Sequence, residues 1–209
     1  MRALSMRKLP RWLVLGTCVL GLSGLPMLSE GAIAQPAALS LEQREDLAHA
    51  DQLIRQSMIL TEEKQFDIAI VLAKEAFAIR GNLLGIEHPD VAGALGTVAG
   101  IYYAQGDYEA AAVLYDRTLL ITAGTGNTNS VQGANTAQNA AAAYEALSDY
   151  EAAARLYAIA LSVREDILGP THPEVALTLE KLAAIHRQQG DSETARSLEA
   201  RVRAIREAQ

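Results

Sequence analysis

Little in this chain of 209 residues can form a cross-link or act as a strong nucleophile. Its only cysteine, Cys18, and its only tryptophan, Trp12, both fall within the first 34 residues. Beyond that point there is no disulfide, no thiolate chemistry and no cysteine metal site. Four histidines, His49, His88, His172 and His186, are scattered through the remainder, too far apart to read as one ligand set. Basic residues are also in deficit: 18 Lys and Arg against 25 Asp and Glu give a formal charge of −7. That balance argues against nucleic acid or an anionic lipid surface as a partner, because both need clustered cations. Stability has to come from packing alone.

The start of the chain is a separate segment. Arg2, Arg7, Lys8 and Arg11 precede an apolar run from Trp12 to Leu28, and Ala32-Ile33-Ala34 comes next. A basic start, an apolar middle and a small-x-small site predict a secretory signal peptide over residues 1–34, cut before Gln35. The alternative is a retained anchor, since the run is near the shortest length that spans a bilayer. Gly16, Gly21, Gly24 and Pro26 interrupt it and favour cleavage. Cleavage leaves 14 basic and 24 acidic residues, a formal charge of −10. A bacterial protein exported to the periplasm, free of the membrane once cut, is the expectation, with secretion as the alternative. About 175 residues then remain, enough for one domain. Within them, residues 35–45 read as an acidic approach segment containing Glu42 and Glu45.

A repeat organises the rest of the chain. His88-Pro89 returns as His172-Pro173 after 84 residues, which is twice 42. A shift of 42 also aligns Asp107-Tyr108 with Asp149-Tyr150, and Leu114-Tyr115 with Leu156-Tyr157. Gly106-Asp107 returns at Gly190-Asp191, and backwards Tyr108 lands on Phe66 and Ala111 on Ala69. Each unit reads as two helices. In the second, Leu95, Val98, Ala99 and Tyr102 make one apolar stripe, and Ala111, Leu114, Tyr115 and Leu119 make the other. Gly106 suits a helix C-terminus and Asp107 the next N-cap. Pro89 and Pro173 suit a first helical turn, where Asp90 and Glu174 favour the dipole. The period divides the chain into four units, near 46–87, 88–129, 130–171 and 172–209.

Alanine-rich hairpins with small residues at Ala99 and Ala111 and aromatics at Tyr102, Tyr108 and Tyr115 resemble tetratricopeptide repeats. The spacing and the run AIRGNLLGIEHPDVAGAL…YYAQGDYEAAAVLYDRTLLI resemble the longer subtype of kinesin light chains, and SVREDILGPTHPEVALTLEKLAAIHRQQGD keeps the same pattern. The resemblance covers residues 46–209. It implies an all-α, right-handed α-solenoid of about four antiparallel helical hairpins, with the first helix of each on the concave side. It implies a protein or peptide ligand and is otherwise almost silent on function. Departures are Lys64-Gln65 and Ser148 where Gly-Asp and Gly are expected, and a long turn-rich stretch, TAGTGNTNSVQGAN. Arg196, Arg201, Arg203 and Arg206 make the last helix polar, as a terminal cap would be.

The first helix of the second unit carries Gly93, Gly96 and Gly100. Each glycine costs roughly 1 kcal/mol relative to alanine, so the three cost about 3. Spacings of three and four place them on one face. Because Leu95, Ala99 and Tyr102 take the core stripe, Gly93, Gly96, Gly100 and Tyr103 are left for the groove. One unit on, the same stripe is Asn135, Gln138, Ala142 and Glu145 with Asn139 beside it. In the fourth unit it is Leu177, Glu180, Ala184 and Arg187 with Lys181 beside it. The expectation is a floor stripped of side chains beside a wall of amides and mixed charges, suited to a partner's main chain. The competing reading is that the glycines serve close helix–helix packing.

Catalytic patterns are missing. GTGNTNS lacks the Lys-Ser/Thr ending of a phosphate cradle and comes after a helix rather than a strand. Glu62-Glu63 reads as solvated surface, and no nucleophile–base pair or metal pattern is present. No catalytic residue, metal or cofactor is assigned. The expectation is a non-enzymatic interaction scaffold. The alternative is an accessory or regulatory subunit of an envelope peptidase, secretion or assembly system.

Overall fold

The computed structural model describes Leu39 to Ala208, so the predicted leader, residues 1–34, lies outside the described residues. Eight helices and no strand occur among the described residues: α1 (Leu41–Glu62), α2 (Phe66–Leu84), α3 (Pro89–Gln105), α4 (Tyr108–Gly124), α5 (Val131–Ala146), α6 (Tyr150–Leu168), α7 (Pro173–Gln188) and α8 (Ser192–Glu207).

Local chemistry sets their ends. Ser40 Oγ accepts from the Gln43 N–H at 3.1 Å while Gln43 Oε1 accepts from the Ser40 N–H at 2.9 Å. This reciprocal box starts α1 at Leu41, inside the stretch 35–45 that the sequence set before the repeats. Asp107, Asp149 and Asp191 cap α4, α6 and α8, each carboxylate accepting a backbone N–H at 3.0 Å. At the His-Pro pairs the imidazole is itself the cap. His88 Nδ1 accepts from the Asp90 N–H at 3.1 Å, and His172 Nδ1 from the Glu174 N–H at 3.2 Å. The long turn-rich stretch is shorter than expected, because α4 runs on to Gly124 and Ser130 already caps α5 through the Gly133 N–H. Left-handed residues end α3 and α7 at Gly106 and Gly190, but Lys64 and Ser148 hold that conformation without glycine's freedom.

Consecutive helices pack as hairpins, and the second helix of each rests on the first helix of the next. Beyond these neighbours α3 also touches α1 and α5, so the first helices gather along one side. The core between them is built largely of alanine, with Ala69, Ala73, Ala99, Ala111, Ala140 and Ala153 inaccessible to solvent. Small side chains let the helices approach, and larger anchors such as Tyr157, Leu179 and Ile185 fill the later hairpins. Adjacent hairpins are also tied by polar bonds. Lys74 Nζ donates to the Tyr102 hydroxyl at 2.9 Å, and 42 residues on the Tyr144 hydroxyl donates to Asp116 Oδ2 at 2.6 Å. At the third such junction Ala158 stands in that place, and His186 Nδ1 is buried without a hydrogen bond, 3.5 Å from Asp191 Oδ2. The stack ends in α8, which exposes no large apolar side chain.

Candidate binding groove

A cavity of about 720 Å³ lies over α3, between α1 and α5. Gly93, Gly96 and Gly100 form part of its lining, with Met58, Ile101 and Val131 as apolar walls and Asn135 and Asn139 along the α5 side. A Cβ added at Gly96 would meet only Thr118 Cγ2, at 3.7 Å. At Gly100 it would meet only the Tyr115 hydroxyl, at 3.4 Å, and at Gly93 only the flexible Gln132 amide, at 3.1 Å. No neighbouring backbone comes within 4 Å of any of these positions. No backbone of another helix therefore requires these glycines, and at Gly93 and Gly100 only the ends of side chains stand close. By contrast, a Cβ at Gly133 would stand 2.4 Å from the Thr128 carbonyl oxygen, so that glycine is a packing requirement.

The remaining candidates divide into three groups. Tyr103 lies half in solvent beyond the cavity, edge-on to Tyr108 with ring centroids 5.3 Å apart. Gln138 and Glu145 are engaged inside the third hairpin: Gln138 Oε1 accepts from Arg164, and Glu145 Oε2 accepts from the Tyr157 hydroxyl at 3.0 Å. Glu180 and Arg187 belong to a separate, smaller hollow between α7 and α8, paired with Arg206 and Glu199. Lys181 is exposed on α7. The anticipated continuous wall is thus split, because five of its seven polar residues, Asn135 among them, are engaged within their own hairpins.

The residue that splits it is Arg164, which the sequence did not single out. Only 5% exposed, it donates to Thr178 Oγ1 at 2.6 Å, to Asn135 Oδ1 at 2.8 Å and to Gln138 Oε1. Burial works against its charge, while Glu174, 4.0 Å away, works for it. Shifted by 84 residues, the same bridge is Arg80 on Asp51, at 2.5 Å. Shifted forward by 42 it is Arg206 on Glu180, also at 2.5 Å. Only the second hairpin lacks it, having Thr122 and Gly93 in these places. A second pairing is confined to the last two hairpins, the first having Thr61 and Ala73 in these places. Tyr157 donates to Glu145 and Arg187 pairs with Glu199, but the equivalent Tyr115 and Tyr103 form no such bond. Burial pushes the Tyr115 hydroxyl up to about 12, with Tyr103 adding to the shift. Comparing positions 80, 122, 164 and 206 in the sequence would have exposed the exception at Thr122.

An all-helical stack of four hairpins with a lined groove on its first helices defines an α-solenoid. The chain belongs to the tetratricopeptide repeat family, whose model matches residues 53–122, 90–162 and 133–208. No curated protein matches it in sequence. Among solved structures it is similar to a variant of the nearly identical TPR-like repeats named for a kinesin light chain of Podosopora anserina. That match has 21% identity over 82% of this chain and 78% of the other, at a TM-score of 0.71. It is also similar to BtubC (BKLC) from P. vanneervenii, with 21% identity over 81% of this chain and 76% of the other, at a TM-score of 0.59. MamA matches with 12% identity over 80% of this chain and 84% of the other, at the same TM-score. At these identities the likeness shows the fold. The right-handed all-α solenoid and the kinesin-light-chain-like repeat are those expected from the sequence.

Proposed function

We propose that this chain is an exported, non-enzymatic scaffold that holds a partner protein or peptide in the groove over α3. Tetratricopeptide repeats suggest a protein–protein interaction scaffold, and the glycine floor supports a site at this place. Three helical glycines together forgo about 3 kcal/mol of helix stability, and no neighbouring backbone requires any of them. They line a cavity whose size falls within the range of formed ligand sites. Export rests on the leader pattern of residues 1–34. No described helix is long and apolar enough to cross a membrane, and no group of three or more metal-binding side chains occurs among the described residues.

Affinity capture from envelope extract tests the groove, comparing the parent with the Gly96→Leu/Gly100→Leu double variant after circular dichroism has shown both folded. The parent is expected to retain a partner that the variant loses. Equal retention would move the site elsewhere. Export is checked separately by cell fractionation and by sequencing the mature N-terminus, expected at Gln35.

A further inference from the structure

Two polar groups placed at the glycine floor are hydrogen-bond donors. Tyr115 is only 4% exposed, lines the cavity, and has no hydrogen-bond partner for its hydroxyl among the described residues. Its counterpart Tyr157 donates to Glu145, whereas the place of Glu145 is taken in the second hairpin by Tyr103, which accepts nothing from Tyr115. With its pKa pushed up to about 12, the Tyr115 hydroxyl keeps its proton at neutral pH. On the α5 side, Asn135 Oδ1 is turned to Arg164 at 2.8 Å. A guanidinium only donates, so it fixes the amide with its carbonyl inward and leaves the N–H₂ group for the cavity. Arg164 is thus a positioning residue for Asn135.

Charge narrows the occupant further. Among the described residues Glu62 is the only charged one lining the cavity, and the Tyr103 hydroxyl is raised by burial, then by Tyr108 and then by Glu145. No described lysine or arginine lines the site, so an incoming carboxylate would lose water without gaining a counter-charge from these residues. A helical ligand has its carbonyls occupied internally, while an extended chain has them free to accept.

Building on the groove as a binding site, we propose that it takes an extended, carboxylate-free segment of a partner protein. Main-chain carbonyls of that segment accept from the Tyr115 hydroxyl and the Asn135 amide, and an apolar side chain rests on Gly96 between Met58 and Val131. The second hairpin has given up its internal acceptor, and the partner supplies it.

The test uses a pool of random twelve-residue peptides displayed on phage and selected on the full chain. Retained sequences are then synthesised and titrated by fluorescence polarisation. They are expected to be poor in Asp and Glu. Tyr115→Phe and Asn135→Asp should each weaken them about fivefold or more. Asn135→Asp keeps an acceptor for Arg164, as Asp51 does for Arg80, so the bridge persists while the donor is lost. Its thermal midpoint should stay near that of the parent. Acidic retained sequences, or affinities unchanged in both variants, overturn the donor assignment but leave the groove standing if Gly96→Leu still abolishes binding. Peptides that become helical on binding overturn the extended occupant. Peptides that bind Gly96→Leu as well as the parent, or a pool from which nothing is retained, overturn the groove itself.

Discussion

The hairpins α3–α4 and α5–α6 share length, register and an alanine core, yet they close their concave edges in opposite ways. In α5–α6 a buried arginine and a tyrosine–glutamate pair stitch the two helices together and reach α7. In α3–α4 the equivalent positions are Thr122 with Gly93 and Tyr115 with Tyr103, and neither pair forms a bridge. Thr122 instead bonds back to the Thr118 carbonyl of its own helix at 2.8 Å. Hairpin formation therefore does not depend on the polar stitches, since the packed alanines suffice. Where the stitches are present they engage the polar side chains of the concave edge. Where they are absent they leave it open.

The contrast can be broken most forcefully at Arg164. Arg164→Ala strands several polar partners and should destabilise by about 3 kcal/mol in urea unfolding, whereas Thr122→Ala should cost about 1 kcal/mol or less. A smaller effect is expected when the bridge is moved. Gly93→Asn together with Thr122→Arg should leave stability within about 1 kcal/mol of the parent and should abolish partner capture. The glycine removed and the hydrogen bonds made are offset by burying a guanidinium beside Gln132 rather than a carboxylate. Next comes the turn after each first helix. Gly106 is at ease at φ 92°, but Ser148 sits at φ 63°, so Ser148→Gly should raise stability by about 0.5–1 kcal/mol.

The smallest effect is a pH dependence. Tyr115 and Tyr144 are raised to about 12, and Tyr157 is raised further by burial and by Glu145. Because folding favours their protonated forms, this stabilisation is fully present below pH 10 and is lost as pH climbs from 10 to 12 and beyond. Unfolding midpoints should fall over that window. In tyrosinate absorbance, Glu145→Gln should bring the Tyr157 step down and leave the Tyr115 step nearly in place.

Much of the architecture was written in recurring pairs. His-Pro, Asp-Tyr and Gly-Asp mark helix starts and turns through local capping chemistry, which needs only neighbours in sequence to be read. The glycine stripe was legible for the same reason, since helical geometry alone puts Gly93, Gly96 and Gly100 on one face. Arg164 was not. An arginine inside a helix normally reads as surface, and its partners lie 14, 26 and 29 residues away on other helices. That is also why Gln138 and Glu145 looked free from the sequence although their own hairpin engages them. Imidazole capping escaped notice because a histidine before proline suggests punctuation without saying which atom bonds.

The arginine bridge that skips one hairpin gives the solenoid a unit of growth. Arg80 and Arg164, like Gly85 and Gly169, both at φ 86°, stand 84 residues apart. Arg206 on Glu180 stitches the fourth hairpin as well, so the open hairpin is a single interruption, and residues 88–171 are one open and one stitched hairpin that can be copied together. A tandem copy of residues 88–171 placed in frame after Thr171 would meet a His-Pro start on each side of the graft. Since repeat stability is a sum over units and their neighbours, such an array adds one new junction, α6 against the copied α3, whose packing sets whether it lengthens stably. Each added pair would alternate a tied hairpin with an untied one along the same inner surface.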